Sequence, residues 1–164
     1  MKTLHVMRHA KSSWKFPELS DIERPLNSRG RRDAPRMGEV LSRQLDPMGI
    51  TVSSARRAQE TLAGLSESWA DLAEMQHTTD SDLYTFASGE VLQWLASLSS
   101  EADSIFIIGH NPALTDLANL LVADLQLPNL PTAGYLGILL DIDYWRDIQP
   151  GCGRMTLSLF PRDL

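Results

Sequence analysis

Apolar and polar positions along the chain repeat one grammar: an apolar run that ends in charge, a polar loop, then an apolar face at helical spacing. In "TLHVMRH", residues 3–9, large and β-branched side chains give way to Arg8 and His9, which predicts a strand, followed by a loop carrying Pro17 and Pro25 and a helix over about 28–45. "GITVSSARRAQETLAGLSESWADLAEM" repeats the unit. Ile50 and Val52 suggest a short strand, Ser53 or Ser54 a cap, and Ala58, Leu62, Leu65, Trp69 and Leu72 one face of a helix. The third copy, "SIFIIGHNPALTDLANLLVADL", has an apolar strand at 105–108, then Gly109 and His110. Asn111 follows as N-cap with Pro112 at the first helical position, and the helix runs to about Leu121.

Between the second and third units, "SGEVLQWLASL" reads as a further helix, with Val91, Leu92, Leu95 and Leu98 spaced for burial and Ser88 as its cap. After the third unit the pattern changes. "AGYLGILLDID" (133–143) and "RMTLSLF" (154–160) are strand-like and flank the turn residues "QPGCG", which predicts an antiparallel pair. Strands alternating with helices predict an α/β three-layer sandwich, a mainly parallel sheet with helices on both faces, with ligand at the carboxyl ends of the strands. A chain of 164 residues with 43% hydrophobic content fits a single domain over 1–164.

Charge narrows the partners. A net charge of -6 argues against nucleic acid or an anionic membrane as main partner. Cys152 stands alone, so no intramolecular disulfide framework is expected, and a reducing cytoplasm is the simplest setting. The few apolar residues after Lys2 are too short for a signal-peptide core, and no stretch approaches a membrane span.

One parallel sheet would bring Arg8 and His9, Arg56 and Arg57, and His110 to the same edge. Histidines and arginines there, near helix N-termini, suit a doubly charged oxyanion such as phosphate, and no acidic cluster accompanies them to hold a metal. "MRHA", "SSARRAQET" and "GHNP", in that order, resemble the motifs of the histidine phosphatase superfamily, the phosphoglycerate-mutase-like fold. The run "RHAKSSW" with "DIERPLNSRGRRDA" is similar to its SixA-type phosphohistidine phosphatase branch. The resemblance implies that His9 is the nucleophile accepting the phosphoryl group and that Arg8 and Arg57 bind its oxygens. Arg57 is selected over Arg56 because it follows Ser53 by four positions and precedes Ala58. His110 is implied as the second pocket histidine, also bonded to the phosphoryl oxygens. Ala10 replaces the superfamily's usual glycine, which asks only that the backbone there avoid a glycine-only conformation.

These roles agree with elementary chemistry. A neutral imidazole can attack phosphorus, and arginines forked onto the equatorial oxygens stabilise the transferring group without a metal or cofactor. Asp80 and Asp82 lie near where relatives acting on esters place a leaving-group acid, but neither sits in a convincing motif, and both are read as residues of a solvated loop. A weak or absent acid suits phosphohistidine, which expels a neutral imidazole. The leading reading is a metal-independent phosphohistidine phosphatase working through a covalent phosphohistidine on His9, its substrate a phosphorylated protein such as a histidine-containing phosphotransfer protein. The alternatives are a small-molecule phosphomonoesterase or a non-catalytic phosphate-binding module. "ILLDIDYW" lacks the rest of a haloacid-dehalogenase-like fold, Cys152 lacks the arginine of a cysteine phosphatase, and no P-loop occurs.

Among the other residues, His5 reads as a packed strand histidine, His77 as a surface residue, and His9 as the solvent-facing end of its strand, contributing little packing. Lys11, Ser12 and Ser13 either touch phosphate or are loop residues, and Trp14 lines the cleft or covers the core. Asp21, Arg24, Pro25 and Gly30 are read as fixing the loop and starting the first helix, with Arg24 also a candidate for the pocket rim.

Overall fold

The computed structural model describes residues 1–99 and 101–164. Its strands are β1 (Lys2–Arg8), β2 (Ile50–Val52), β3 (Thr78–Thr79), β4 (Ser104–Gly109), β5 (Tyr135–Leu140) and β6 (Gly153–Leu159). They form one sheet in the order β3-β2-β4-β1-β5-β6. The first four strands in that order are parallel, and β5 and β6 run antiparallel at the other edge. The helices are α1 (Ser28–Ser42), α2 (Arg56–Ser68), α3 (Ala70–Ala73), α4 (Ser88–Ala96) and α5 (Ala113–Leu121).

Side-chain alternation splits the core into two halves, one on each face of the sheet. Met7, Ile50, Val52, Phe106, Ile108 and Tyr135 face the side covered by α1 and α2, with Met37, Leu41 and Leu65 packed on them. Leu4, Val6, Ile107, Leu136, Ile138 and Leu140 face the side covered by α4 and α5, with Leu95, Leu114 and Leu117 packed there. This is the three-layer arrangement that the alternation of elements predicts.

Small residues let α1 and α2 touch. A Cβ on Gly38 would stand 2.3 Å from the Leu65 carbonyl oxygen, and one on Gly64 would stand 2.6 Å from the Ala34 Cβ. The Ser68 hydroxyl also donates to the Pro35 carbonyl, an acceptor near the proline inside α1.

Four local expectations are corrected. The second helix stops at Ser68, because Trp69 leaves helical geometry (φ -131, ψ 81) to bury its indole, and α3 restarts after it. Neither Ser53 nor Ser54 caps α2; Ala55 holds that position, and the Ser53 hydroxyl is used elsewhere. Ser88 is the first helical residue of α4, Ala87 holds the N-cap position without a side-chain cap, and Thr85 ties the preceding turn to the helix, its Oγ1 accepting from the Ala87 N–H and donating to Glu90. Pro112, not Asn111, sits at the N-cap position of α5, while the Asn111 side chain accepts from the Thr115 N–H at 3.1 Å. The strand β3 is only two residues, Thr78–Thr79, too short to carry a sequence period.

Candidate active site

Strand register assembles the site. Arg8 pairs with Gly109 across β1 and β4, so the next residues, His9 and His110, leave adjacent strand ends together. Val52 pairs with Ile108 on the other side of β4, which sets Ser53 beside them. The backbone holds these ends: the His9 N–H donates to Gly109 O at 3.0 Å, the Ser53 N–H to Ile108 O at 3.0 Å, and the Ala133 N–H to the carbonyls of Arg8 and His9. Gly30, at the start of α1, approaches the Lys11 carbonyl so closely that an added Cβ would lie 2.2 Å from it, and this seats the loop after β1 on α1.

His9 is only 7% exposed, which corrects the solvent-facing position expected from the sequence; its ring is packed against Arg57 and His110. Its Nδ1–H donates to the Ala10 carbonyl at 2.7 Å, which leaves Nε2 unprotonated, and its lone pair accepts the Nε–H of Arg57 at 3.3 Å. Burial drives the His9 pKa well below its usual value against the opposing Ala10 carbonyl, and His110, Arg57 and Arg8 lower it further. His9 is therefore a neutral base at physiological pH. The His110 ring lies 5.2 Å from it, centroid to centroid. Burial, and then Arg57, bring the His110 pKa down to about 3. Ala10 is not among the positive-φ residues, so its side chain is accommodated as the sequence reading required.

Two polar atoms in this cluster, Arg8 Nε and His110 Nδ1, are buried without a hydrogen-bond partner among the described residues. A buried polar group left unpaired costs about 1–3 kcal/mol. Such atoms beside two guanidinium groups form a cradle that an oxyanion would complete. Arg8 is anchored through Nη1 to the Leu130 carbonyl at 3.0 Å, and its pKa is lowered by burial and by Arg57.

The structure thus brings together Arg8, His9, Arg57 and His110. Arg56, one residue from Arg57, points away and pairs with Glu60 at 3.1 Å on the exposed side of α2. Asp80 and Asp82 stay outside. The Asp80 carboxylate accepts from the Asp82 N–H and from the indole of Trp94, and Asp82 is exposed. His77 is half-buried and tied down rather than a free surface side chain: Nδ1 accepts from the Ile50 N–H and Nε2 donates to the Leu72 carbonyl, joining β2 to the end of α3. His5 is packed as expected, its Nδ1 2.6 Å from the Tyr135 hydroxyl.

Four residues not assigned to the site from the sequence belong to it. Asp21 accepts from Arg57 twice, Nη1 to its carbonyl at 2.7 Å and Nη2 to its carboxylate at 3.0 Å. The same carboxylate accepts from the Tyr84 hydroxyl at 2.5 Å and from Arg24 at 3.2 Å. Burial pushes the Asp21 carboxyl up, but hydrogen bonds from Tyr84 and Arg57 outweigh it and hold its pKa at about 2. Tyr84 and Phe86 also stand edge-on to His110, at 5.4 and 5.7 Å, as walls of the pocket. Ser53 places its Oγ 2.7 Å from His110 Nε2. The signal for Asp21 was the motif "DIERPLN"; Tyr84 carried none, because it reaches the site from a loop 63 residues further on.

Arg24 is buried, donates to Ser12 Oγ at 2.9 Å and to the Ser13 carbonyl, and lies 3.6 Å from the Trp14 ring centroid. Arg24, Ser12 and Ser13 therefore build the wall rather than the floor, and Trp14 stays 74% exposed. Beyond that wall, a groove of about 1010 Å³ runs between the 13–27 loop and α2, lined by residues such as Phe16, Arg31 and Glu60 but by none of the four clustered residues. Among the described residues, no group of three or more His, Cys, Asp or Glu is arranged to hold a metal ion. No helix of the described residues is long and apolar enough to cross a membrane.

The family model described as histidine phosphatase superfamily (branch 1) matches residues 4–93, which include most of β1, all of β2 and the Arg57 helix. The chain belongs to the histidine phosphatase superfamily. The uncharacterized protein Rv1276c of Mycobacterium tuberculosis is 31% identical to it over 168 residues, 95% of this chain and 100% of that protein. Among solved structures, SixA from Agrobacterium tumefaciens superposes with a TM-score of 0.81 at 22% identity, covering 98% of each chain. The protein histidine phosphatase SixA complexed with tungstate gives 0.79 at 22% identity, also covering 98% of each chain. The fold is the phosphoglycerate-mutase-like α/β fold shared with SixA, as the motif resemblance implied.

Proposed function

We propose that this superfamily member is a phosphatase that hydrolyses phosphohistidine on a protein without a metal, through a phosphohistidine formed on His9. The observation that carries the reading is the His9 Nδ1–H bond to the Ala10 carbonyl at 2.7 Å. It fixes the tautomer and leaves an Nε2 lone pair against Arg57, beside the two unpartnered buried atoms. In the first step Nε2 attacks phosphorus, a new N–P bond forms, and the substrate's P–N bond breaks as its imidazole leaves with the electron pair. In the second, water attacks the same phosphorus, the P–Nε2 bond breaks, and inorganic phosphate departs with the water's oxygen. Arg8, Arg57 and His110 surround the oxygens through both steps, which supplies the charge stabilisation such transfers need.

The acid question supports the substrate class. The Asp80 carboxylate is committed to the Trp94 indole and the Asp82 N–H, Asp82 itself is exposed outside the cluster, and Asp21 is held ionised at a pKa of about 2 by Tyr84 and Arg57, so none is poised to protonate an alkoxide. A protonated imidazole leaving group needs no such help. That the SixA relative was solved with tungstate, an oxyanion, accords with this use of the pocket.

The test is hydrolysis of a phosphohistidine-bearing phosphotransfer protein beside a panel of phosphomonoesters, with chelator present, by the wild type and His9→Ala. We expect turnover of the phosphoprotein that vanishes in the variant, with folding of the variant verified by circular dichroism. Arg57→Ala should lose about a hundredfold or more, roughly 3 kcal/mol of transition-state stabilisation. Retained activity in His9→Ala would overturn the nucleophile, activity requiring added metal would overturn the metal-free chemistry, and preference for a small ester would overturn the substrate class.

A further inference from the structure

Ser53 is fully buried at the end of β2 and has two polar neighbours at its hydroxyl. The Ala55 N–H donates to Oγ at 3.2 Å, a direction that cannot be reversed because a backbone amide has no lone pair to offer. The other neighbour, His110 Nε2, lies at 2.7 Å. A serine hydroxyl has one hydrogen, and Nε2 is the acceptor the geometry offers it. We infer that Ser53 is a positioning residue that fixes His110 as the tautomer with its proton on Nδ1, so that the unpartnered buried nitrogen is a donor aimed at a phosphoryl oxygen.

The reverse arrangement fails on two counts. If Nε2–H donated to Oγ, the serine hydrogen would be stranded in a fully buried position, at a cost of about 1–3 kcal/mol. The lone pair would then sit on Nδ1, where an oxyanion's oxygen would meet it with repulsion rather than a hydrogen bond. With Ser53 as donor, Nδ1–H joins Arg8 Nε–H, the other unpartnered buried atom, as a second donor of the same cradle. The backbone supports the arrangement. The Ser53 N–H is held by Ile108 O at 3.0 Å and its carbonyl accepts from Gln59 Nε2 at 2.9 Å, so the hydroxyl has a fixed origin. The Tyr84 and Phe86 rings stand edge-on to His110 and restrain its plane. The use of Nδ1–H in catalysis rests on the phosphatase reading above, whereas the tautomer itself does not.

The tautomer can therefore be measured without substrate. Long-range proton–nitrogen correlation spectra of the wild type, assigned through His110→Asn, should show His110 with a protonated Nδ1 and a bare Nε2. A protonated Nε2 would overturn the proposal. In Ser53→Ala the His110 signals should move toward a tautomer mixture, inorganic phosphate should bind more weakly, and kcat/KM should fall by roughly tenfold to a hundredfold, the range seen when the partner that orients a metal-bound imidazole is removed. Ser53→Thr keeps the hydroxyl and should recover both the tautomer and most of the activity, with thermal melting reporting on any strain from the extra methyl. An alanine variant that keeps the Nδ1–H tautomer and wild-type phosphate affinity would also overturn the role of Ser53. Should the wild type hydrolyse no phosphohistidine, the proposed substrate falls, yet the nitrogen spectrum still decides this inference.

Discussion

At the residue scale, the pocket is held by a carboxylate that does not belong to the anion cradle. Asp21 grips Arg57 through its backbone and its side chain and is itself gripped by Tyr84 and Arg24, so one residue ties the 20–24 segment, α2 and the loop before α4 around the site. Asp21→Ala leaves the guanidinium freer to turn and also removes a negative charge beside an anion site. We expect kcat to fall severalfold while inorganic phosphate inhibits more tightly. Steady-state kinetics with phosphate as inhibitor checks the split, and unchanged kcat would contradict it. The melting temperature should fall modestly: the Asp21 side chain is 42% exposed, but Arg57 is only 2% exposed and would lose its carboxylate partner. What was legible in the sequence follows the same division. Arg8, His9, Arg57 and His110 stand at or next to strand and helix ends in short motifs, so chain order alone suggests that they meet. Asp21, Ser53 and Tyr84 act through contacts that only the folded loops create.

At the element scale, Arg57 sits in the first turn of α2, so whatever sets the distance between α1 and α2 also sets the guanidinium. The backbones touch at Gly38 and Gly64, where a Cβ would approach other atoms to 2.3 and 2.6 Å. Gly38→Ala must push the helices apart, and overpacking of this kind costs about 1–3 kcal/mol against a gain of about 1 kcal/mol in helix propensity. A thermal midpoint lowered by several degrees, with reduced activity, is the expected result. Gly89 in α4 has open space where its Cβ would go, so Gly89→Ala should instead raise the midpoint slightly and leave activity alone. Differential scanning calorimetry of the pair tests the argument, since the same atom added at two glycines should act with opposite sign. The apolar period located α1, α2, α4 and α5, but it could not show that Trp69 would break α2. The tertiary burial of the indole outweighs the helical continuation that the spacing of Leu65, Trp69 and Leu72 suggests.

At the scale of the whole molecule, three buried histidines make stability depend on pH. Burial lowers the pKa of His5 to about 4 and, with Arg57 as a further cause, that of His110 to about 3; His9 is also driven well below its usual value by burial. Each therefore binds its proton more weakly in the fold than in the unfolded chain, whose histidines titrate near 6.5. Their full contribution is present above about pH 6.5. As the pH falls below that value, the unfolded chain takes up protons that the fold refuses, and stability is lost until the folded pKa values are reached. Each group that titrates only in the unfolded chain gives a slope of about 1.4 kcal/mol per pH unit, so near pH 5 His5 and His110 together approach about 3 kcal/mol per pH unit, and His9 adds to it in the same direction. Asp21 acts in the same direction lower down, its depressed pKa withdrawing stability as pH falls from the usual carboxylate range toward about 2. Urea unfolding at intervals between pH 7.5 and 5 should show this steep decline, and His5→Phe, far from the chemistry, should remove about a third of the slope. A flat profile would show that the histidines are not neutral in the fold. Because His9 remains a free base well below pH 6.5, activity on the acid side should fail when the fold fails rather than when the nucleophile is protonated, so the two acid limbs should coincide when rate and unfolding are measured on the same samples.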